Sequence, residues 1–256
     1  MLVRKDFLRF KILFFIVSIS IFLSLWYFLS QLFDNTLLPD PIKVIATLFQ
    51  VLMTQEIFVH LFASLKRTII GFSLALFSGS LLAYIFALFP LTEKVTTPML
   101  EFLRPIPPIA WIPLAILWFG IGNGSSYFIV FLAAFFPIFT NTFFGVKSIS
   151  KNHHCIKINY NLSKIQSLRH IIIPSTLPNL ITGCKTSLGL SWMVVIAAEI
   201  IGARSGLGYI MEINRVLIET EKVMAIMIFI GIIGYLMHQL LLFIEKYLLY
   251  WKETLE

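Results

Sequence analysis

The chain has 256 residues, 58% of them hydrophobic and 13% charged, with a formal net charge of +7. A soluble domain carries about 45–50% apolar and about 25% charged residues, so water is excluded as the main solvent of this chain. Its basic residues sit in short segments beside apolar runs, where they act as orientation signals on a membrane protein and not as a nucleic-acid surface. Cys155 and Cys184 are too far apart for a zinc or redox pair motif and too few for a disulfide framework, so both read as free thiols.

Arg4, Lys5, Arg9 and Lys11 precede an apolar run over residues 12–33. That run is longer than the core of a signal peptide and no small-x-small cleavage site follows it, which predicts an uncleaved first membrane helix. Residues 34–67 are mixed: Leu38, Pro39, Asp40 and Pro41 lead into spaced apolar positions at Val44, Leu48, Val51 and Leu52. They read as a loop and a short amphipathic helix outside the bilayer core. A second span is predicted over residues 68–89, with Ala75, Gly79 and Ala83 forming a small-residue face suited to close helix packing.

Residues 90–104 read as a hydrophilic link. The proline-rich segment that follows, with Pro105, Pro107, Pro108 and Pro113, implies a bent or interrupted third helix running into residues 114–122. Gly120, Gly122 and Gly124 lack the setting of a nucleotide loop, a strand before and Lys-Ser/Thr after, and read as a tight external turn. Further spans are expected over residues 127–146, 177–201 and 223–244. The fold class is therefore all-α, a polytopic helical bundle of about six spans forming one membrane domain over residues 1–256. Residues 147–170 carry Lys147, Lys151, Lys157, Lys164, Arg169 and three histidines with no acidic residue. The positive-inside rule places this loop, the link at 90–104 and both termini on the cytoplasmic side.

Several polar residues fall inside the predicted spans. Lys185 reads as snorkelling to the cytoplasmic headgroups, with an interhelical role as the alternative. Glu199 is too short to snorkel far; it reaches the outer interface or faces a translocation path or partner helix. Gly183, Ser187 and Ser191 share one helix face that either lines a path or packs a neighbour, and Asn141 with Thr140 and Thr142 offers contacts to a polar solute or to another helix. His238 reads as a packing histidine. Trp26, Tyr27, Trp118, Trp192, Tyr247, Tyr250 and Trp251 read mostly as interfacial anchors. No catalytic constellation, metal cluster or cofactor motif emerges.

Three blocks carry a resemblance. The first is residues 64–72, from Ser64 through Arg67 to Gly71 and Phe72. The second, and most specific, is residues 104–114 continuing through Trp118, Phe119, Gly120, Ile121 and Gly122. The third runs over residues 171–178, then Leu188 to Trp192, Ala197, Ala198 and Glu199, and Ser205 to Tyr209. Together they cover about residues 37–210 and resemble the binding-protein-dependent permease family, in its nitrate, sulfonate and taurine branch. The resemblance implies the type I permease fold of an ATP-binding cassette importer. It also implies a pore made with a second copy of the chain, a cytosolic ATP-binding subunit that hydrolyses ATP, an extracytoplasmic substrate-binding protein, and a place in a bacterial inner membrane.

Such permeases grip their ATPase through a cytoplasmic loop reading Glu-Ala-Ala, three residues, Gly, nine residues, then Ile-x-Leu-Pro. Here the pattern ends in Ile171, Ile172, Ile173 and Pro174, which puts Asn161 at the Gly position and Cys155, Ile156 and Lys157 at the Glu-Ala-Ala positions. The lost carboxylate and gained lysine imply a co-adapted ATPase surface or a weakened subunit. Asn161 is expected to turn the chain with positive φ, since Asn after Gly best tolerates a left-handed backbone. The resemblance thus implies coupling through Cys155, Ile156, Lys157, Asn161 and Pro174, and the residues offer Glu199, Ser187, Ser191 and Asn141 for the path. A self-sufficient secondary transporter or channel using Glu199, Lys185 or His238 as an ion site is the rival reading.

Overall fold

In the computed structural model residues 2–33, 37–149 and 160–250 are described, and every regular element among them is helical. The order is α1 (Leu2–Leu32), α2 (Pro41–Leu52), α3 (Gln55–Leu88), α4 (Pro90–Leu103), a 3-10 turn (Pro108–Trp111), α5 (Ile112–Phe119) and α6 (Asn123–Lys147). After the undescribed residues 150–159 come α7 (Lys164–Ser167), a π turn (Leu168–Ile172), α8 (Ile173–Gly202), α9 (Leu207–Val216) and α10 (Thr220–Leu248). Two compact units result, one of residues 1–58 with 210–230 and the other of residues 59–209 with 231–256.

Among the described residues four helical stretches are long and apolar enough to cross a membrane: Gln55–Leu88, Asn123–Lys147, Ile165–Gly202 and Thr220–Leu248. Large apolar side chains stand exposed along them, as at Phe77, Leu81, Phe144, Met193, Leu236 and Leu240, a surface that only lipid or another protein satisfies.

In the larger unit, small residues set the helix directions. A Cβ at Gly71 would lie 2.6 Å from Val130, and one at Gly79 would lie 3.4 Å from Ile138, so the register advances together along α3 and α6 and the two run parallel. Ala75 and Ala83, both fully buried, complete the same face. Gly183 meets Pro137, Ile138 and Asn141 while Gly145 meets Asn179, so α8 runs antiparallel to α6. Lys185 pairs with Glu245 and Trp192 meets Gly234, so α10 runs antiparallel to α8.

Because α3 and α6 are parallel, the chain must change sides between them. Residues 108–119 form only 12 helical residues, about 18 Å at 1.5 Å per residue, too short for ~30 Å of hydrocarbon. The crossing is shared with α4, a helix of 14 residues. The sequence reading of 90–104 as a link is corrected accordingly: Pro90 starts a helix, where its missing N–H costs nothing. The expected interruption falls at 104–107, with Pro105 and Pro107. A second correction concerns residues 55–67, which are the first three turns of α3 and not a loop.

The smaller unit contains α1 and α2. Asp40 Oδ1 accepts the Ile42 N–H at 2.8 Å and Pro41 occupies the first turn, which starts α2 where the amphipathic pattern places it. Trp26 Nε1 donates to the Pro39 carbonyl at 3.1 Å, tying the entry of α2 to α1. At the end of α9 the Glu219 N–H reaches the Asn214 carbonyl and the Ile218 N–H reaches that of Arg215, the bond pair of a Schellman cap. The left-handed residue of that cap is Ile218, with φ 60°. A β-branched residue there is under strain.

Candidate functional site

The densest polar cluster of the larger unit joins the first and third sequence blocks. Arg67, on α3, is 3% exposed at its side chain and Glu199, on α8, is 0% exposed; Arg67 Nη1 lies 2.7 Å from Glu199 Oε1. Arg67 Nε also donates to Asn123 Oδ1 at 2.9 Å, and its Nη2 to Ser205 Oγ at 2.9 Å. Ser64 Oγ donates to the Glu199 carboxylate at 2.8 Å and accepts the Leu207 N–H at 2.9 Å. The Gly208 N–H donates to Glu199 Oε2 at 3.0 Å.

Leu207 and Gly208 open α9, so these are backbone donors that have no partner within the helix. Ser64 caps the first of them and Glu199, 9 residues back from Gly208, caps the second, where its negative charge suits the positive end of the helix. Two glycines make room. Gly206 has φ 116° and a Cβ there would strike the Glu199 carboxylate; a Cβ at Gly208 would strike the Ile196 carbonyl. His60 Nδ1 accepts the Gly206 N–H at 2.9 Å. Gly122 N–H donates to the Gly202 carbonyl at 2.8 Å. The starts of α6 and α9, the end of α8 and the first half of α3 are thus held by one charge-centred network.

Buried ion pairs of this kind repay desolvation only when the remaining lone pairs and protons are satisfied. Both partners meet that condition here. Glu199 faces α3 and the start of α9, so in the folded protomer it touches protein on all sides.

Ser187 and Ser191 are fully buried on the α8 face whose Gly183 abuts α6. Ser187 Oγ donates to the Cys184 carbonyl at 3.1 Å, whereas the hydroxyls of Ser191 and Thr142 have no partner among the described residues. Asn141 Nδ2 donates back to the Pro137 carbonyl at 2.8 Å. The Thr140 hydroxyl donates to the Phe136 carbonyl. The opposite, exposed face of α8 presents Thr182, Thr186, Gly189 and Met193. Lys185 does not snorkel: its Nζ donates to Glu245 Oε1 at 2.8 Å and Oε2 at 3.0 Å, an interhelical pair with α10. His238 is exposed on α10 of the single protomer.

Of the loop positions, Cys155, Ile156 and Lys157 lie outside the described residues. Asn161 has φ 48°, the left-handed backbone expected of it. Two residues on, Ser163 and Gln166 form a reciprocal cap: the Ser163 N–H donates to Gln166 Oε1 at 2.9 Å and the Gln166 N–H to Ser163 Oγ at 3.3 Å. The helix begun there passes through the π turn at Leu168–Ile172 and continues as α8, with Pro174 in its first turn. Sequence reasoning does not single out Arg67, although the signal is there: an arginine at the edge of an apolar run, within the block of residues 64–72, opposite in sign to Glu199.

Comparison with known proteins bears on this geometry. The family described as binding-protein-dependent transport system inner membrane component matches residues 75–249. A Bacillus subtilis protein named as an aliphatic sulfonates transport permease is 30% identical over 239 residues, covering 93% of this chain and 87% of that protein. The taurine transport system permease protein of Escherichia coli is 30% identical over 241 residues, 91% of this chain and 88% of its own length. The nitrate import permease protein of Synechococcus elongatus is 31% identical over 205 residues, 76% and 74% of the two chains.

Proposed function

The chain belongs to the family of inner membrane components of binding-protein-dependent transport systems, and from that membership we propose that it carries a small anion such as a sulfonate, taurine or nitrate across a bacterial inner membrane. It is a multi-pass membrane protein and a permease subunit of an ATP-binding cassette importer. The match along 75–249, together with the α3, α6 and α8 packing, supports this reading best.

In the proposed mechanism two copies enclose the path. The exposed face of α8, with the hydroxyls of Thr182 and Thr186 and the bare backbone at Gly189, meets the solute. Ser187, Ser191, Asn141 and Glu199 form the wall behind it, reaching the path only if α8 parts from its neighbours. The loop at 147–170 takes up the motion of a cytosolic ATP-binding subunit. The left-handed turn at Asn161 and the continuous helix from Lys164 through Pro174 then carry that motion into α8 without an intervening flexible link. An extracytoplasmic binding protein delivers the solute and sets selectivity.

The test is gentle solubilisation of the tagged chain from its native membrane. Co-purification with an ATP-binding subunit at one copy per permease is expected. Uptake driven by an ion gradient alone, with the purified chain in liposomes, would overturn the proposal.

A further inference from the structure

We propose that α2 lies in the membrane plane, with its stripe of Ile42, Ile45, Phe49 and Met53 resting on the lipid surface at the boundary of headgroups and acyl chains. The proposal takes as its premise that α1 crosses the bilayer.

Successive residues of a helix are turned by roughly 100°, so Ile42, Ile45, Phe49 and Met53 share an arc of roughly 80°. All four are exposed, at 69%, 41%, 61% and 86%. Beside this arc on one flank is the sector that packs into the protein, Pro41, Val44 and Leu48. On the other flank is a polar sector with exposed Lys43 and Gln50; Gln50 and Thr47 border a cleft of about 260 Å³ alongside Glu219 and Thr220. Three sectors on one short helix match three surroundings: protein, lipid and water. A helix wholly in water would have no use for the middle one.

The depth of α2 follows from its anchor. The Trp26 indole that holds the Pro39 carbonyl sits six residues before Leu32, roughly 9 Å short of the end of α1. The entry of α2 is therefore held beside the last two turns of α1 and not beyond them. Those turns also expose large side chains, Tyr27, Phe28 and Leu32. Tryptophan and tyrosine at that level are the side chains favoured where hydrocarbon gives way to headgroups. With the basic amino-terminus inside, this is the extracytoplasmic leaflet.

Spin-label accessibility in proteoliposomes of the full chain tests the proposal, with Cys155 and Cys184 replaced by serine. Labels are placed through Ile45→Cys and Phe49→Cys on the stripe, Lys43→Cys and Gln50→Cys on the polar flank, and Phe28→Cys on α1 as reference. The stripe labels should collide with oxygen several-fold more often than with a water-soluble nickel chelate, and the polar-flank labels should show the reverse. Stripe labels as open to the chelate as those at 43 and 50 would overturn the proposal. So would stripe labels shielded from both reagents and broadened by one another, the mark of a second copy seated there. If Phe28→Cys is also open to the chelate, α1 does not cross and the proposal falls with its premise; if it is shielded, the proposal falls alone.

Discussion

Arg67 and Glu199 lie 132 positions apart in sequence and 2.7 Å apart in space, each almost wholly removed from solvent. The helices that carry them run in opposite directions, since Tyr84 of α3 meets Thr176 of α8 at the other end. Arg67 stands in the first half of α3 and Glu199 three residues before the end of α8, so the two charges occupy one level of the bundle.

Removing both charges should cost less than the two single removals added together. Glu199→Ala leaves a guanidinium buried with two of its partners and strips the cap from α9, a loss of about 3–5 kcal/mol. Arg67→Met should fall in the same range. The double variant Arg67→Met with Glu199→Leu should lose clearly less than the sum of the singles. Thermal unfolding of the detergent-solubilised protein, run as a double-mutant cycle, provides the measurement. Additive losses would mean that the pair has no coupling.

Gly206 should be irreplaceable where Gly189 is not. Gly206→Ala forces a Cβ onto the Glu199 carboxylate at a backbone φ of 116°, while a Cβ at Gly189 has nothing within 4 Å. The first change should lower stability by about 1–3 kcal/mol. The second should leave unfolding and membrane yield near wild type, and equal melting of the two variants would contradict the cradle described for Glu199.

Ile218 offers a stabilising substitution. It holds the left-handed position of the α9 cap, where a residue with a Cβ is disfavoured by about 1–2 kcal/mol and glycine is not. After the entropy glycine brings to the unfolded chain is subtracted, Ile218→Gly should raise stability by about 0.5–1 kcal/mol. A lower melting temperature for this variant would show that the exposed isoleucine is held by contacts that outweigh its strain.

Asn161→Gly should preserve uptake, since glycine adopts φ 48° more readily than asparagine. Asn161→Val meets strain of ~1–2 kcal/mol or more at the same angle. It should insert normally and retain ATP hydrolysis while losing coupled uptake. Reconstituted wild type and both variants, compared at matched protein levels, give the answer. Equal uptake by Asn161→Val and wild type would remove the turn at Asn161 from the coupling route.

Much of the bundle was legible because a bilayer constrains composition as well as pattern. Spans 2, 4, 5 and 6 follow from apolar length alone, and Ala75, Gly79 and Ala83 announce their packing face by spacing. The crossing between α3 and α6 was partly legible: the prolines at 105, 107 and 108 mark the break, but Thr92, Glu93, Lys94 and Glu101 make the first half read as loop when it is α4. Hydropathy cannot tell a polar helix that shares a crossing from a link. The start of α3 is hidden for the same reason: Glu56, His60, Lys66 and Arg67 make it read as loop, and the carboxylate that pairs with Arg67 lies 132 positions away on α8. Lys185 illustrates the limit of reasoning one side chain at a time. Its snorkelling length was real, yet a carboxylate on α10, 60 positions away, captured it.

Uptake by the reconstituted permease with its co-purified ATP-binding subunit and a binding protein tests the central claim most directly. Proteoliposomes loaded with ATP on the side of the ATP-binding subunit, with no ion gradient, should accumulate a radiolabelled sulfonate, taurine or nitrate delivered by the binding protein. Accumulation should stop when ATP is replaced by a non-hydrolysable analogue. Accumulation that is indifferent to ATP and collapses with a proton or sodium gradient would contradict it.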